Sequence, residues 1–246
     1  MGRVNANEFL HTVTPALNSG DVEALREVVS HHWTAKDLCC LLGHQDPDVR
    51  RTAVVTLGVT GDVSIVGCLT RCLHDDDEQV HQFAEDALWS VWFRGGKCAA
   101  ADQFRAGVTA LTDDDYAGAI EAFREAVEED PAFAEAYNQL AIAHYLSSEW
   151  EASVSACRQV LALMPTHFGA MAGLGHCYAH LGQLRQAIDC YRRALAINPR
   201  MSPIADAKAR LEEQLTKEEG QAGPACPMTP PHTKLLNFEF DPTEPQ

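Results

Sequence analysis

The sequence predicts an all-α fold in which pairs of helices stack into an α-solenoid. Two internal periods indicate this architecture, one of 34 residues in the C-terminal half and one of 31 residues in the N-terminal half. A repeat of this length holds one helical hairpin, which buries its apolar face only against neighbouring repeats. With 246 residues, 46% of them hydrophobic, the chain can form its cores without disulfides or metal ions.

The N-terminal half shows the shorter period. The shift aligns two acidic turns, HQDPDV and HDDDEQV, each followed by a helical pattern with apolar residues at i, i+4 and i+8. Residues 7–35 are expected to add one or two helices whose register the sequence does not define. The aligned pairs are Leu38 with Leu69, Leu42 with Leu73, Asp46 with Asp77, Val49 with Val80, Ala53 with Ala84 and Leu57 with Leu88.

The segment DPDVRRTAVVTLGVTGD resembles the short HEAT-like repeats, which also occur in phycobilisome lyases. We therefore predict a HEAT-like helical-repeat domain over residues 1–97. A boundary is expected near Gly95 and Gly96, which follow the aromatic residues Trp89, Trp92 and Phe93. We interpret these aromatic residues as the last apolar face of the domain, docked rigidly on the first helix of the next one.

The longer period is marked by a proline at the same position of three units, 100–133, 134–167 and 168–201. A small residue is expected wherever two antiparallel helices approach closely, and a large one where a side chain fills the space opposite. The prolines are Pro131, Pro165 and Pro199; the small residues are Gly107, Ala141 and Gly175, then Ala119, Ser153 and Ala187; the opposing residues are Phe123, Cys157 and Tyr191.

These positions resemble the tetratricopeptide repeat family, and the third unit, FGAMAGLGHCYAHLGQLRQAIDCYRRALAINPR, is close to its consensus. Residues 202–219 are predicted to form a helix that caps the stack, so that this domain covers 98–219. The combination resembles bacterial proteins with both repeat types, which implies protein binding and no narrower role. Residues 220–246 are predicted to be a disordered, proline-rich tail.

Charge and cysteine usage restrict the partners and the compartment. The chain has 19 Lys and Arg against 35 Asp and Glu, a net charge of −16 that argues against nucleic acid or an anionic membrane as the partner. Nine cysteines in a chain whose polar start predicts no signal peptide are typical of a reducing, cytoplasmic compartment.

The sequence predicts neither an enzyme nor a cofactor. It has no phosphate-binding glycine loop, no nucleophile elbow and no HExxH motif. We interpret the acidic clusters at Asp75–Glu78 and Asp113–Asp115 as helix N-caps. His176 and His180 lie one turn apart on one predicted helix, but we expect them to face a partner and predict no metal site.

The predicted partner-binding surface is the concave groove formed by the first helix of each C-terminal unit. Its composition is apolar with amides and two histidines, which suits an extended peptide or a helix with apolar anchors. Its predicted residues are Phe104, Val108, Leu111, Glu135, Asn138, Gln139, Ile142, Tyr145, His176 and His180.

The family resemblance also implies a test for one known role, the binding of chaperone C-terminal carboxylates by a clamp of Lys, Asn and Arg side chains. No clamp cation is present here, so we predict that the chain has no such clamp. The clamp positions carry Phe104, Val108, Gln139, Gly169 and Gly173.

The sequence therefore predicts a non-catalytic scaffold that binds another protein or peptide in its concave groove. Two alternatives stay open: a chromophore-lyase-related protein acting through the HEAT-like units, and a metal- or redox-responsive adaptor. The apolar stretch Leu235–Phe240 in the tail is further predicted to occupy the groove until a partner displaces it.

Overall fold

The computed structural model describes residues 4–221, and within this range the chain is all-α, which confirms the predicted fold class. Short 3₁₀ turns precede α5 and α7. Thirteen helices follow one another in these residues: α1 Ala6–Ser19, α2 Val22–His32, α3 Ala35–Leu41, α4 Pro47–Thr60, α5 Val66–Cys72, α6 Glu78–Phe93, α7 Ala101–Thr112, α8 Tyr116–Glu129, α9 Ala134–Leu146, α10 Trp150–Leu163, α11 Phe168–His180, α12 Leu184–Ile197 and α13 Ser202–Gln221.

Helices α1–α6, here called the N-terminal repeats, share one apolar core. The 31-residue period holds in the structure, because α3 and α5 coincide after this shift and α4 and α6 start at equivalent residues. The acidic turns act as helix caps, as predicted: Asp46 accepts a hydrogen bond from the Asp48 N–H at 2.9 Å, and Asp77 accepts one from the Val80 N–H at 3.0 Å. Residues 7–35 lie in α1, α2 and the start of α3, and Phe9 and Leu25 extend the core.

Helices α7–α12, here called the C-terminal repeats, form three antiparallel pairs spaced by 34 residues. The second helices begin at Tyr116, Trp150 and Leu184. The predicted pairing of small and large residues is present, because a Cβ atom added at Gly175 would lie 2.5 Å from the ring of Tyr191. In the middle pair the hydroxyl of Ser153 instead donates to the Ala141 carbonyl at 2.7 Å.

Helix α13 covers the last pair, as the predicted capping helix should. Ile204 is buried and packs with Ala207 and Leu211 against Met171 and Tyr191. The domain bounds 1–97 and 98–219 stay predictions, and the tail predicted beyond α13 lies outside the described residues. No helix within residues 4–221 has both the length and the apolar character needed to cross a bilayer.

The joint between the two sets of repeats differs from the prediction. Phe93 contacts the first helix of the C-terminal repeats, with its ring 5.7 Å from that of Phe104. Trp89 and Trp92 pack instead on Phe168 at the start of α11, with ring centroids 5.5 and 5.2 Å away. The prediction was wrong for the two tryptophans because α6 meets the start of α11 before its last residue, Phe93, reaches α7.

The close approach of Gly175 to the Tyr191 ring predicts how a substitution at this glycine changes the stability of the fold. Gly175→Ala should lower the free energy of unfolding by about 1–2 kcal/mol, since overpacking against the buried Tyr191 ring outweighs the better helix propensity of alanine. Gly173→Ala on the same helix is the matched control, because its Cβ would meet only the Cys157 sulfur at an ordinary 3.6 Å.

Urea unfolding monitored by circular dichroism measures both variants. Gly173→Ala should be neutral or gain up to about 1 kcal/mol. Equal stability of the two variants would contradict the assigned helix packing.

Candidate functional site

The residues predicted to form the groove divide by exposure. Ile142 and His180 are exposed, whereas Glu135, Asn138, Gln139 and Phe104 are buried; the remaining four, Val108, Leu111, Tyr145 and His176, are half-buried. The exposed and half-buried residues of α9 and α11 form one surface. Glu135 and Gln139 lie behind it, whereas Asn138, although buried, lines the cavity between these helices.

An apolar cavity of about 220 Å³ opens between α9 and α11 and is here called the groove cavity. It brings together four of the predicted residues, Asn138, Ile142, Tyr145 and His176. Residues of α7 do not reach it. Its other lining residues are Trp89, Ala141, Ser153, Cys157, Gly169, Ala172 and Gly173.

Sequence reasoning missed the small residues that make room for this cavity. Gly169 and Gly173 are one turn apart on α11, and Ala141 faces them from α9. Two glycines at this spacing on a concave helix face were the available signal. Trp89, which closes one end of the cavity, belongs to the N-terminal repeats and could not be assigned from the 34-residue period.

Aromatic and imidazole rings line the other end of the groove cavity. The Tyr145 hydroxyl lies 2.9 Å from Nε2 of His180, whose ring stacks on Trp150 with centroids 4.2 Å apart. The Tyr191 hydroxyl lies 2.7 Å from Nδ1 of His176. Burial, and secondarily His180, lowers the pKa of His176, while burial raises the pKa of Tyr191 to about 12. These shifts favour the neutral form of the His176 imidazole and of the Tyr191 phenol.

A buried polar network lies behind the groove cavity. One carboxylate oxygen of Glu135 accepts from the side-chain amides of Asn138 at 3.0 Å and Gln139 at 2.7 Å. The other lies 3.0 Å from Nε2 of His167, whose Nδ1 accepts the Ala170 N–H at 3.1 Å. Nε2 therefore carries the imidazole proton and donates it to Glu135. With three donors, the buried carboxylate has its hydrogen bonds made within the chain.

Trp92 covers this network from the N-terminal repeats. Its ring stacks on His167 with centroids 3.9 Å apart and an interplanar angle of 19°. Both residues are almost completely buried. The network thus connects α6, α9 and the start of α11, and it places Trp89 at the mouth of the groove cavity.

A second cavity, of about 630 Å³, lies at the C-terminal end of α6 and is here called the junction cavity. Two of the predicted groove residues, Phe104 and Val108, line it, so the structure separates them from those on α9 and α11. Leu111 packs at the edge of the C-terminal core. The other lining residues are Phe93, Arg94, Gly96, Lys97, Ala101, Arg105, Thr109 and Phe133.

The two histidines of the groove each have a tyrosine hydroxyl as a neighbour, and Cys177 faces away from them, 3.1 Å from the Ser153 hydroxyl. Within residues 4–221 no group of three or more His, Cys, Asp and Glu side chains is arranged to hold a metal ion.

Two segments of the chain match models of the tetratricopeptide repeat, residues 103–133 and residues 170–201. The chain contains tetratricopeptide repeats. The matched segments correspond to the first and third pairs of C-terminal helices, and α9 and α10 lie between them with the same 34-residue spacing.

Among curated proteins, the chain is 26% identical over 119 residues to the small glutamine-rich tetratricopeptide repeat-containing protein 2 of Mycosarcoma maydis. It is 31% identical over 90 residues to anaphase-promoting complex subunit 3 of Schizosaccharomyces pombe. These matches cover 48% and 37% of this chain but only 34% and 14% of the relatives. Both relatives are fungal, and the bacterial type and the HEAT-like identity of the N-terminal repeats stay predictions.

Among solved structures, the chain is similar to the first tetratricopeptide repeat domain of Spaghetti bound to an HSP90 peptide, SRMEEVD. The sequence identity is 20% and the TM-score is 0.47. The match covers 48% of this chain and 93% of that domain.

The buried network predicts a marked loss of stability when its imidazole is removed. His167→Phe keeps an aromatic ring under Trp92 but leaves one oxygen of Glu135 without a donor, and it should cost about 3 kcal/mol. Arg185→Ala, which breaks an exposed pair with Glu219, should cost less than about 1 kcal/mol.

Chemical denaturation of the single and double variants separates charge from packing. Adding Glu135→Gln to His167→Phe should restore part of the lost stability, because the buried group is then neutral. If the double variant is no more stable than His167→Phe alone, the unpaired carboxylate is not the cause.

Proposed function

We propose that this chain is a non-catalytic protein-interaction scaffold that receives an apolar side chain of a peptide or helix in the groove cavity. The observation that supports it is the cavity itself, an apolar opening in the concave face of tetratricopeptide repeats. Peptide recognition by such a face combines a few apolar anchors with neighbouring polar groups.

The rim of the groove cavity supports the same function. Ile142, which lines the cavity, and Leu146, one turn later on α9, are 39% and 46% exposed, more than most large apolar side chains of residues 4–221. Covering each with a partner would contribute about 1 kcal/mol or more. Tyr145 and Trp150 lie beside them, and such aromatic residues are frequent energetic centres of interfaces. Binding driven by these contacts should depend little on salt.

A peptide selection tests this function. Peptides are selected on the wild-type chain from a random display library, and their affinity is then measured by fluorescence anisotropy. Ile142→Asp should weaken binding at least about tenfold, since it places a charge at the apolar rim. Gly173→Leu should do the same by filling the cavity.

Leu163→Asp is the matched control for the charge, because Leu163 is 43% exposed and does not line the groove cavity. It should leave the affinity within about twofold of wild type. Selected peptides that bind all of these variants equally well would contradict the proposed site.

We further propose that the chain does not bind chaperone C-terminal carboxylates. Of the clamp positions, Gly169 lies under Trp89, where an added Cβ would come within 2.6 Å of the indole ring, and Gln139 is buried beside Glu135. None of the clamp positions carries a cationic side chain, so the charge of a bound carboxylate would have no partner there.

The peptide SRMEEVD provides the test for this second point. It should show no saturable binding to this chain in isothermal titration calorimetry at concentrations up to about 1 mM, for lack of a cation partner. The Spaghetti domain, which is bound to this peptide in its structure, is the positive control. Saturable binding with a dissociation constant in the micromolar range would show the proposal to be wrong.

The two alternative functions have less support. For the redox adaptor, burial raises the pKa of Cys39 to about 12 and that of Cys190 to about 11, which keeps these thiols protonated and slow to react. Hydrogen bonds with Cys157 and Ser153 lower the pKa of Cys177 to about 7, but this sulfur is completely buried and out of reach of a reactant. The chromophore-lyase alternative depends on the HEAT-like resemblance alone. A cytoplasmic location stays a prediction from the cysteine content.

A further inference from the structure

The junction cavity has an aromatic floor with an incomplete cover. Phe104 and Phe133 form the floor with ring centroids 4.7 Å apart, and Phe93 stands at the edge with 40% of its surface exposed. Val108 continues the apolar surface along α7. An apolar opening of about 630 Å³ has room for more than one side chain.

Three cations surround this floor, although the chain as a whole is strongly acidic. Lys97 and Arg105 contact Asp130 and Asp102, and both cations are more than 70% exposed. Arg94 donates to the carbonyls of Gly58 and Gly61 and to the Ser90 hydroxyl. Because these acceptors are neutral, they leave the charge of Arg94 uncompensated, and the rim is positive.

A ligand for this cavity must therefore combine aromatic side chains with carboxylates. The chain carries such a segment itself, LLNFEFDPTE, at residues 235–244, beyond the described part. In an extended conformation Phe238 and Phe240 point to one side, and Glu239 and Asp241 point to the other. With this alternation, the aromatic rings lie on the floor of the junction cavity. The carboxylates on the other side of the segment are then reached by the long basic side chains at the rim.

We propose that residues 235–244 dock in the junction cavity of the same chain. Phe238 and Phe240 cover the floor formed by Phe104 and Phe133, while Glu239 and Asp241 pair with cations of the rim. The groove cavity suits this segment less well, because no lysine or arginine lines it to pair with the acids. The occupant is thus the predicted tail stretch, but its site differs from the groove expected from the sequence.

The length of the chain permits this docking. The contact between Arg185 and Glu219 places the end of α13 beside the start of α12. Three helix spacings of about 10 Å separate α13 from α7, a span of roughly 30 Å. Residues 222–234 can extend over about 43 Å. Tethering then keeps the segment at a millimolar effective concentration.

Photocrosslinking in the full chain locates the segment. The photoreactive amino acid p-benzoylphenylalanine replaces Phe238, and crosslinked peptides are identified by mass spectrometry after irradiation. The proposal expects intramolecular crosslinks to residues 93–109. Crosslinks confined to α9 and α11, crosslinks only between two molecules, or no crosslinks would each overturn it.

Charge reversal tests the pairing. The double variant Lys97→Glu with Arg105→Glu should lower the crosslink yield about fivefold or more, whereas Arg124→Glu, an exposed cation of α8 outside the cavity, should not. Adding Glu239→Lys and Asp241→Lys to the double variant should restore the yield. Thermal melts establish that the variants are folded. An unchanged yield in the double variant, or no recovery in the charge swap, would overturn the pairing.

Discussion

The stack of Trp92 on His167 is the contact on which the arrangement of the two sets of repeats depends. The imidazole has three neighbours at once, since it stacks under the indole, accepts the Ala170 N–H and donates to Glu135. Each contact comes from a different element, α6, α11 or α9. A purely apolar joint could slide by a fraction of a helical turn, but the directional hydrogen bonds of a buried carboxylate are made at one register only. The orientation of α6 across the concave face follows from this constraint.

The cost of burying the indole N–H of Trp92, which has no hydrogen-bond partner among the described residues, is offset by the area that its ring covers.

Helix α6 contributes a side chain to each of the two cavities. Trp89 closes one end of the groove cavity, and Phe93, one turn later on the same helix, lines the junction cavity. The two sites therefore differ in chemistry although both use first helices of the tetratricopeptide repeats. The groove cavity is made of small and apolar residues with aromatic neighbours. The junction cavity combines phenylalanine rings with basic side chains contributed by α7 and by the connection between the two sets of repeats.

The sequence predicted the helices because their signals are local. Small residues such as Gly175 and large ones such as Tyr191 recur at fixed spacing, and caps such as Asp77 mark helix starts independently of the tertiary structure. The docking of Trp89 and Trp92 was not predictable in this way, since it depends on how the curvature of the stack brings the start of α11 to α6. Glu135 shows the consequence for the site. Its position within the repeat is typical of the groove, but His167 and Trp92 cover it, so a residue expected to meet a partner is a buried structural group.

The net charge of the chain is negative, whereas the rim of the junction cavity is positive, and the distribution of the charges explains the difference. Many acids of this chain serve backbone N–H groups at helix starts, as Asp46, Asp77 and Asp115 do, and their number grows with the number of helices. Those charges are distributed over the whole solenoid, whereas Arg94, Lys97 and Arg105 surround one opening. At physiological ionic strength the Debye length is about 8 Å, so a carboxylate inside the cavity responds mainly to its nearest charges. A net charge of −16 thus opposes long polyanions at a distance and still permits a short acidic segment to bind at this rim.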